Sequence, residues 1–356
     1  MLRIDNIKKY ITAKESTLKE VVKVIDSNRE GIAFVVEKNN KLIGTITDGD
    51  VRRFILKNGD INTRCNVVMN RRYLYIRKDS PEEALRLIQT NRIRHIPLVG
   101  NGRKLQKIFV SDTLYDQHNK VIAVIMAGGE GKRLRKVSRH TPKPLVKIEE
   151  KPILEDVITG LRKHNIKDIY LAIRYKANTI KSHFKKNSNL GVNIKYLEEK
   201  KKLGTAGALS LLPKDEIPDT IVVVNADVLT STNYTSLIDF YRNHHLLLCA
   251  ASKEYVFDIP YGVFDVCNGY LTGITEKPSR RFLCNAGIYV LNKEVLKLIP
   301  KHKHFNMTDL IKAATHRSLP VGVFPLYEYW IDIGNAADLY RAKSEYNVIF
   351  KRKEYE

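Results

Sequence analysis

An apolar run near the middle of the chain leads into a glycine-rich turn and then into three cationic side chains. The run Val121–Met126 lacks alternation, which is typical of a central parallel strand covered on both faces. Glycine leaves backbone N–H groups free to approach phosphate oxygens closely. The turn consists of Ala127, Gly128, Gly129 and Gly131. The cationic side chains after it are Lys132, Arg133 and Lys143. This combination predicts a cradle for a triphosphate.

The turn differs from the two best-known phosphate loops. Position 134 is Leu, so the spacing of a dinucleotide fingerprint is missing, and no Gly-Lys-Ser/Thr ending marks a Walker loop. Its distinguishing pattern is Gly-x-Gly-x-Arg-Leu, followed by Pro142-Lys143-Pro144. Many glycine-rich turns have other uses, but this combination favours phosphate binding.

Two aspartates follow apolar runs and are candidate metal ligands. Asp227 comes shortly after the β-branched run 221–224, so we expect it at the carboxyl end of a parallel strand, where open α/β sheets bind ligands. Asp332 follows the apolar and aromatic run 327–331, which predicts a second strand. The alternative is that each aspartate caps a strand or turn. Because Mg²⁺ takes only one or two protein carboxylates, the pair together with the cradle predicts a Mg²⁺ site.

From about residue 121 to about residue 346 the chain resembles the sugar-1-phosphate nucleotidyltransferase family. Further motifs occur in that family's order. They are Leu203-Gly204-Thr205-Ala206-Gly207-Ala208, Asn225-Ala226-Asp227, Pro260-Tyr261-Gly262, Glu276-Lys277-Pro278, Asn285-Ala286-Gly287 and Trp330-Ile331-Asp332-Ile333-Gly334. The chain departs from the family at Lys132 and Lys136, where Thr and Pro are usual, and at Ala226, where Gly is usual. The resemblance implies an α/β fold with a Rossmann-like, mixed and mostly parallel sheet of the GT-A type.

The resemblance implies attack by the phosphate of a hexose 1-phosphate on the α-phosphorus of a nucleoside triphosphate, with release of pyrophosphate. Arg133 would hold the leaving pyrophosphate, and Lys143 would hold the α-phosphate and the incoming phosphate. Mg²⁺ would lie on Asp227 and Asp332. The residues implied to contact the sugar phosphate are Tyr261, Gly262, Glu276, Lys277 and Asn285. For Glu276 and Lys277, the alternative is a solvated pair before a turn-forming proline.

Base choice depends on a charged loop before Gly204 and Thr205, which the resemblance places at the nucleotide. The family reads the base with the residue five positions before this glycine, and here that residue is Glu199. A carboxylate only accepts hydrogen bonds, and guanine offers two adjacent donors, which favours GTP. The alternative is a solvated charge run, since Lys200 follows Glu199 directly.

The first 118 residues contain two similar halves, of about 1–60 and 61–118. Residues 31–36 and 41–48 predict two strands joined by a polar turn, followed by a helix from Val51. The second half repeats this plan at 95–99 and 104–112. Before these strands, Ser80-Pro81 predicts a helix start with Pro at the first helical position.

The repeated halves resemble a tandem pair of CBS modules, which often hold an adenine nucleotide. Thr47 and Asp50 match the Gly-x-x-Thr-x-x-Asp element of the first module, where the hydroxyl meets phosphate and the carboxylate accepts from ribose. Leu114 stands where the second module should have the aspartate. At most one regulatory purine nucleotide is therefore expected. The alternative is that the pair only dimerises the chain, and we expect a homo-oligomer through it.

Bulk properties support two domains, at 1–118 and 121–356, joined near residues 116–120. The four cysteines show no metal-ligand spacing, and the chain shows neither a secretory signal nor a membrane span, so we expect a cytoplasmic protein without a membrane partner. The net charge of +22 favours anionic partners. Because no nucleic-acid module accompanies it, we expect no nucleic-acid partner.

Within the family, the chain is most similar to guanylyltransferases of the mannose-1-phosphate type. More narrowly, it resembles the CBS-fused glucosamine-1-phosphate guanylyltransferases of legionaminic acid synthesis. The alternatives are a mannose-1-phosphate guanylyltransferase, a uridylyl- or thymidylyltransferase, and a non-catalytic nucleotide sensor. Retention of the cationic and acidic residues of the motifs argues against the sensor.

Overall fold

A computed structural model of the chain describes residues 2–28, 30–91, 93–111, 120–134, 141–186 and 190–351, which belong to two compact units, 1–119 and 120–356. Leu114, Lys136 and residues 116–119 of the predicted joint lie outside the described residues, as does the side chain of Lys132. None of the described helices is long and apolar enough to cross a bilayer.

The N-terminal unit contains two three-stranded sheets. Its elements are β1 (Leu2–Ile4), β2 (Ile11–Ala13), α1 (Leu18–Asn28), β3 (Ile32–Glu37), β4 (Lys41–Thr47), α2 (Asp48–Leu56), α3 (Pro81–Asn91), β5 (His95–Val99) and β6 (Leu105–Val110). One sheet has the order β2-β3-β4 and the other has the order β1-β6-β5. The first strand of the chain therefore completes the sheet of the second half.

The two hairpins share their register. Ile32 pairs with Thr47 in the first hairpin, and 63 positions later on both strands His95 pairs with Val110. The repeat predicted from the sequence is therefore visible in the pairing of these strands.

Both sheets of the N-terminal unit contribute to one hydrophobic core. Phe34 and Leu42 of the first sheet are buried in the same cluster as Leu105 and Ile108 of the second. Each half covers an apolar face of the other, as expected of repeats that cannot bury a core alone.

The C-terminal unit is built on a seven-stranded mixed sheet. Its elements are β7 (Val121–Met126), β8 (Lys147–Ile148), β9 (Lys151–Pro152), α4 (Ile153–Lys163), β10 (Asp168–Ile173), α5 (Ala177–Lys186), β11 (Asn193–Glu198), α6 (Gly204–Gly207), β12 (Thr220–Asn225), β13 (Val228–Thr230), α7 (Tyr234–Asn243), β14 (Leu248–Asp258), β15 (Val263–Cys267), β16 (Tyr270–Thr275), β17 (Ser279–Leu291), α8 (Met307–His316), β18 (Val321–Leu326), β19 (Trp330–Asp332) and α9 (Ala336–Tyr346). The sheet order is β11-β10-β7-β12-β17-β14-β18. β17 runs antiparallel to both of its neighbours, and the other neighbouring pairs are parallel.

Both faces of this sheet are covered, which explains the continuous apolar runs. Along β7, Ala123 and Ile125 lie in one core cluster, and Ile122 and Val124 lie in the other. Successive side chains of a strand point to opposite faces, so a strand with helices on both faces needs apolar residues throughout.

The carboxyl ends of β7 and β12 form the crevice of the sheet. β10 lies on one side of β7 and β12 lies on the other, so the connections leave β7 in opposite directions. Such a switch in strand order is where α/β sheets bind ligands. Ala226 N donates to Met126 O over 3.2 Å and links the turns that follow these two strands.

A two-stranded ribbon extends β14 and β17 beyond the sheet. β14 pairs with β18 only as far as Lys253, whereas its pairing with β17 continues to Asp258. The hairpin of β15 and β16 lies between the two long strands in sequence. We call residues 255–283 the arm.

We expect Asp156 on α4 to make the stability of the C-terminal unit depend on pH. Burial raises the pKa of its carboxyl to about 6, although Tyr346 donates to Oδ1 over 2.8 Å. Because the folded state holds the proton more tightly than the unfolded chain, stability is greatest below about pH 4 for this group and falls as the pH rises through 6. We expect the Asp156→Asn variant to avoid this loss, so its free energy of unfolding at high pH should exceed that of the wild type by roughly 1–3 kcal/mol.

Urea titrations at pH 4.5 and pH 8 measure this effect. Asp156→Asn should be more stable than the wild type at pH 8, whereas the exposed control Asp215→Asn should follow the wild type at both values. An unchanged pH dependence in Asp156→Asn would show that the group is ionised without cost.

Candidate active site

The glycine-rich turn approaches the side chains of Glu199 and Lys143 closely. A Cβ atom at Gly128 would overlap the Glu199 carboxylate, and one at Gly131 would lie 2.8 Å from Cβ of Lys143. Gly131 also has a φ of +58°, which L side chains rarely adopt. Gly129 faces open space. The turn therefore lies against both the predicted base-reading residue and the predicted phosphate lysine.

Lys143 and Asp227 form an ion pair beside this turn. Lys143 Nζ donates to Asp227 Oδ2, and the exposed fractions of the two side chains are 13% and 29%. Lys143 belongs to a short 3-10 helix, Lys143–Leu145, and Asp227 follows the end of β12. A largely buried ammonium group is therefore oriented towards the carboxyl end of the sheet.

Asp332 reaches this pair through a two-stranded sheet. We expected a strand at 327–331, but the strand is Trp330–Asp332, and it pairs antiparallel with Val228–Thr230. Asp332 lies opposite Val228, and Ile333 N donates to Asp227 O over 3.0 Å. Long-range pairing thus positions Asp332 next to Asp227, and Tyr327 remains outside the strand.

The two carboxylates repel each other. The pKa of Asp332 is raised, first by burial and then by the negative charge of Asp227, while Lys143 and Arg133 partly offset the shift. The Arg133 guanidinium lies beside Gly334, where a Cβ atom would be 3.6 Å from Nη1. Two adjacent carboxylates with partial charge compensation can hold a divalent cation together with phosphate oxygens.

The two carboxylates suit Mg²⁺ better than a metal ion that takes all of its ligands from the protein. Among the described residues, no group of three or more His, Cys, Asp or Glu side chains is placed to hold a metal ion. Mg²⁺ keeps several waters and is commonly held by one or two carboxylates plus substrate phosphates. Asp227 and Asp332 meet that requirement.

Glu199 lies where the turn after β11 meets the glycine-rich turn. Its Oε2 accepts from Leu203 N over 2.9 Å, and its pKa is raised, first by burial. Arg174, which follows β10, donates to Glu130 over 3.2 Å and lies close enough to lower the Glu199 pKa. We did not identify Arg174 from the sequence, and its only signal there was a cationic residue directly after a buried strand.

Gly204 and Thr205 make structural contacts with the segment before α8. A Cβ atom at Gly204 would lie 2.6 Å from Phe305 O, and the Thr205 hydroxyl accepts from Met307 N over 2.9 Å. These contacts hold α6 against the start of α8. A nucleotide role for the two residues would use their backbone, because the Thr205 hydroxyl already caps α8.

Four of the five residues implied in sugar binding lie on the arm, at positions 261, 262, 276 and 277. On the arm, a Cβ atom at Gly262 would be 3.0 Å from Glu276 Oε2, and Tyr261 is exposed. Lys277 has a φ of +44°, a conformation that costs about 1 kcal/mol for an L residue. Within the described residues, no hydrogen bond or ion pair joins Glu276 or Lys277 to Asp227.

Asn285 lies between the arm and the crevice. Its Oδ1 accepts from Gly287 N over 3.0 Å, and a Cβ atom at Gly287 would be 2.6 Å from Asn225 Nδ2. Asn225, the last residue of β12, carries a buried Oδ1 without a hydrogen-bond partner among the described groups. We had treated Asn225 only as part of a motif, and this free acceptor adds it to the candidate site.

In the N-terminal unit, Thr47 and Asp50 cap a helix. We expected the helix to begin at Val51, but α2 begins at Asp48, because Thr47 and Asp50 form a capping box. The Thr47 hydroxyl donates to Asp50 Oδ2 over 2.6 Å, and Arg53 pairs with Oδ1. Both carboxylate oxygens are therefore engaged, and a bound ribose would share them.

Comparison with known proteins places this geometry in a family. The nucleotidyl transferase family model matches residues 122–348, and the CBS domain model matches residues 7–57. The chain belongs to the nucleotidyl transferase family. The predicted α/β fold class, with a mostly parallel sheet and a CBS domain before it, is thereby confirmed.

Its relatives in the nucleotidyl transferase family are sugar-1-phosphate nucleotidyltransferases. The chain is 31% identical over 220 residues to the D-glycero-alpha-D-manno-heptose 1-phosphate guanylyltransferase of Campylobacter jejuni, covering 61% of this chain and 96% of that protein. It is 32% identical to the mannose-1-phosphate guanylyltransferase catalytic subunit beta of Drosophila pseudoobscura, covering 62% of this chain and 61% of that protein.

A uridylyltransferase and a solved structure extend the comparison. The UTP–glucose-1-phosphate uridylyltransferase of Synechocystis is 28% identical, covering 62% of each chain. HddC from Yersinia pseudotuberculosis, solved also in complex with GMP-PN, has a TM-score of 0.51 and 28% identity, covering 63% of this chain and 98% of that one. The family match therefore extends over the C-terminal unit. Its relatives include both guanylyltransferases and a uridylyltransferase.

Proposed function

We propose that the chain joins GTP to glucosamine 1-phosphate in a Mg²⁺-dependent reaction that yields an NDP-sugar and pyrophosphate. The observation that carries this proposal is the assembly of Lys143, Asp227 and Asp332 beside the glycine-rich turn. A role in legionaminic acid synthesis belongs to the same proposal. It is supported by the fusion of CBS and transferase domains.

In this reaction, an oxygen of the sugar phosphate attacks the α-phosphorus, and the bond from that phosphorus to the bridging oxygen of the β-phosphate breaks. Pyrophosphate leaves, and no covalent enzyme intermediate is required. Catalysis then consists of positioning and charge neutralisation. When bound, Mg²⁺ would neutralise phosphate charge and align the phosphate groups at Asp227 and Asp332.

Four side chains would position the substrates and neutralise their charge. Lys143 Nζ would exchange part of its contact with Asp227 for the α-phosphate and the incoming phosphate. Arg133 would bind the leaving pyrophosphate at the turn. On the arm, Glu276 would accept from sugar hydroxyls, and Lys277 would contact the sugar phosphate.

A guanine preference is supported by Glu199 and by the guanylyltransferases among the relatives. We expect GTP with glucosamine 1-phosphate to have the highest kcat/KM among the four nucleoside triphosphates and a panel of hexose 1-phosphates. Pyrophosphate release with Mg²⁺ measures this. A preference for UTP or dTTP by more than about tenfold, or about 1.4 kcal/mol, would contradict the guanine proposal and favour the uridylyltransferase alternative.

Glu199→Gln sharpens this test. An amide both donates and accepts, so the variant should relax base choice more than it raises KM for the sugar phosphate. The control is Glu198→Gln, an exposed neighbour paired with Lys181, which should leave base choice unchanged. Because the Glu199 pKa is raised, GTP binding should weaken on acidification at a higher pH than an ordinary glutamate would give.

The N-terminal unit is proposed to bind one purine nucleotide through Thr47 and Asp50 and to regulate the transferase. Calorimetry of the full chain with AMP should show about one site, which Asp50→Ala eliminates. Asp50→Ala also removes a helix cap worth about 1 kcal/mol. Ser80→Ala is the matched control, because Ser80 Oγ caps α3 by accepting from Glu83 N. Absence of AMP binding to the wild type would leave dimerisation as the function of this unit.

A further inference from the structure

The arm exposes an unusual amount of apolar surface. Eleven large apolar side chains between residues 255 and 283 are exposed, among them Val266 at 63% and Tyr270 at 78%. Tyr255, Val256 and Phe257 are consecutive, so both faces of the ribbon are uncovered. A two-stranded ribbon without a covered face is at best marginally stable in water, so another surface is needed to stabilise it.

The area and charge of the arm match a contact with an identical chain. Covering one aromatic side chain buries roughly 150–250 Å² of surface. Covering the exposed apolar side chains of the arm would therefore bury roughly 1,000 Å² per chain. A standard interface buries about 800 Å² per partner. Within the arm, three cationic and three anionic residues balance. They are Lys277, Arg280, Arg281, Asp258, Asp265 and Glu276.

This balance matters because the whole chain carries a net charge of +22. Two copies approaching through most of their surface would repel each other, whereas the neutral arm allows apolar contact without that repulsion. A strongly acidic partner would instead favour the basic surface outside the arm. Closed two-fold dimers are also the commonest assemblies of soluble chains.

We propose that the arm of one chain packs against the arm of a second copy and forms the main dimer interface. This places the principal contact on the C-terminal unit instead of on the CBS pair, where we first expected it. The arm also carries Tyr261, Gly262, Glu276 and Lys277. If the proposed function holds, dimerisation therefore orders the segment that binds the sugar phosphate.

Sedimentation equilibrium of the full chain without substrate tests the interface. The wild type should have about twice the 40.9 kDa mass of one chain at micromolar concentration. The double variant Val266→Asp/Tyr270→Asp should raise the dimer Kd at least about a hundredfold. The control Val67→Asp/Tyr340→Asp changes residues of the same types that are exposed outside the arm, at 66% and 67%, and it should remain dimeric.

A monomeric wild type would overturn the proposal, and so would an arm variant that dimerises like the wild type. Alkylation of Cys267 provides a second readout that does not depend on the fold of a variant. This thiol and that of Cys284 are exposed in the single chain, whereas Cys65 and Cys249 are buried, so peptide mass spectrometry is used to follow the label at Cys267. In the wild type Cys267 should react at least about tenfold more slowly at dimeric than at dissociating concentrations, and equal rates would contradict burial of the arm.

Kinetics separate this proposal from the proposed function. The arm variant should raise KM for the sugar phosphate more than KM for GTP. If no substrate pair is active, the sedimentation and alkylation results still decide whether the arm forms the interface.

Discussion

Asp332→Asn is expected to lower Mg²⁺-dependent turnover by at least about a hundredfold while leaving the free energy of unfolding unchanged or higher. Burial, and then the negative charge of the neighbouring Asp227, raise the pKa of its carboxyl. Removing the charge relieves repulsion in the folded state but deprives the site of a ligand for the cation. Lower activity with undiminished stability would be the signature of a carboxylate held in place for function.

Asp227→Asn should lose activity to the same extent but should also lower stability. Its removal leaves the largely buried Lys143 ammonium without its ionic partner, at a cost of about 1–3 kcal/mol. Urea denaturation and rates at saturating Mg²⁺ measure the two effects. The control is Asp219→Asn, an exposed carboxylate paired with Lys293, which should change neither quantity much. Near wild-type rates in either active-site variant would show that this aspartate is a structural cap.

Lys143→Met is expected to lower kcat by at least about a hundredfold, because it removes the positive charge that would stabilise the transferring phosphate. Methionine keeps an unbranched stem of similar length against Gly131, so the packing of the turn should persist. The effect should appear in kcat more than in KM for the sugar phosphate.

The control for this variant is Lys147→Met, an exposed lysine of β8 that should retain wild-type rates. If Lys143→Met keeps its rate but loses stability, the ion pair with Asp227 would be structural. The phosphate would then be neutralised elsewhere, with Arg133 and Arg174 as the nearest alternatives.

The strands that form the crevice were predictable from local pattern. β7 and β12 are apolar without alternation because both faces of the sheet are covered, and that property is visible in the sequence itself. The turn after β7 was likewise predictable, since its glycines and cations are contiguous. Lys143 packs against this turn, where a Cβ atom at Gly131 would lie 2.8 Å from its Cβ, and its role at the phosphate stays a prediction.

Features that depend on long-range register were not predictable in this way. Asp332 reaches the crevice through pairing of β19 with β13, over a separation that no local pattern encodes. The start of α2 was misplaced because the Thr47–Asp50 spacing was interpreted only as a nucleotide motif, although the same spacing forms a capping box. Arg174 was not predicted because its neighbours Glu130 and Glu199 lie on two other turns that are distant in the sequence.

The exposure of the arm also required the structure. Its sequence is rich in aromatic and β-branched residues, which is typical of strands that pack against another surface. Only the topology shows that β14 and β17 continue beyond their neighbours in the sheet. An apolar strand sequence therefore predicts burial without indicating which surface supplies it.

The most direct test of nucleotidyl transfer is to follow ¹⁸O from the phosphate of glucosamine 1-phosphate. We predict that the full chain with GTP and Mg²⁺ places the label in the NDP-sugar, releases unlabelled pyrophosphate in equal amount, and does neither without the sugar phosphate. Pyrophosphate or phosphate release that is independent of the sugar phosphate, or nucleotide binding without turnover for any pair of substrates, would contradict the account and favour a non-catalytic nucleotide sensor.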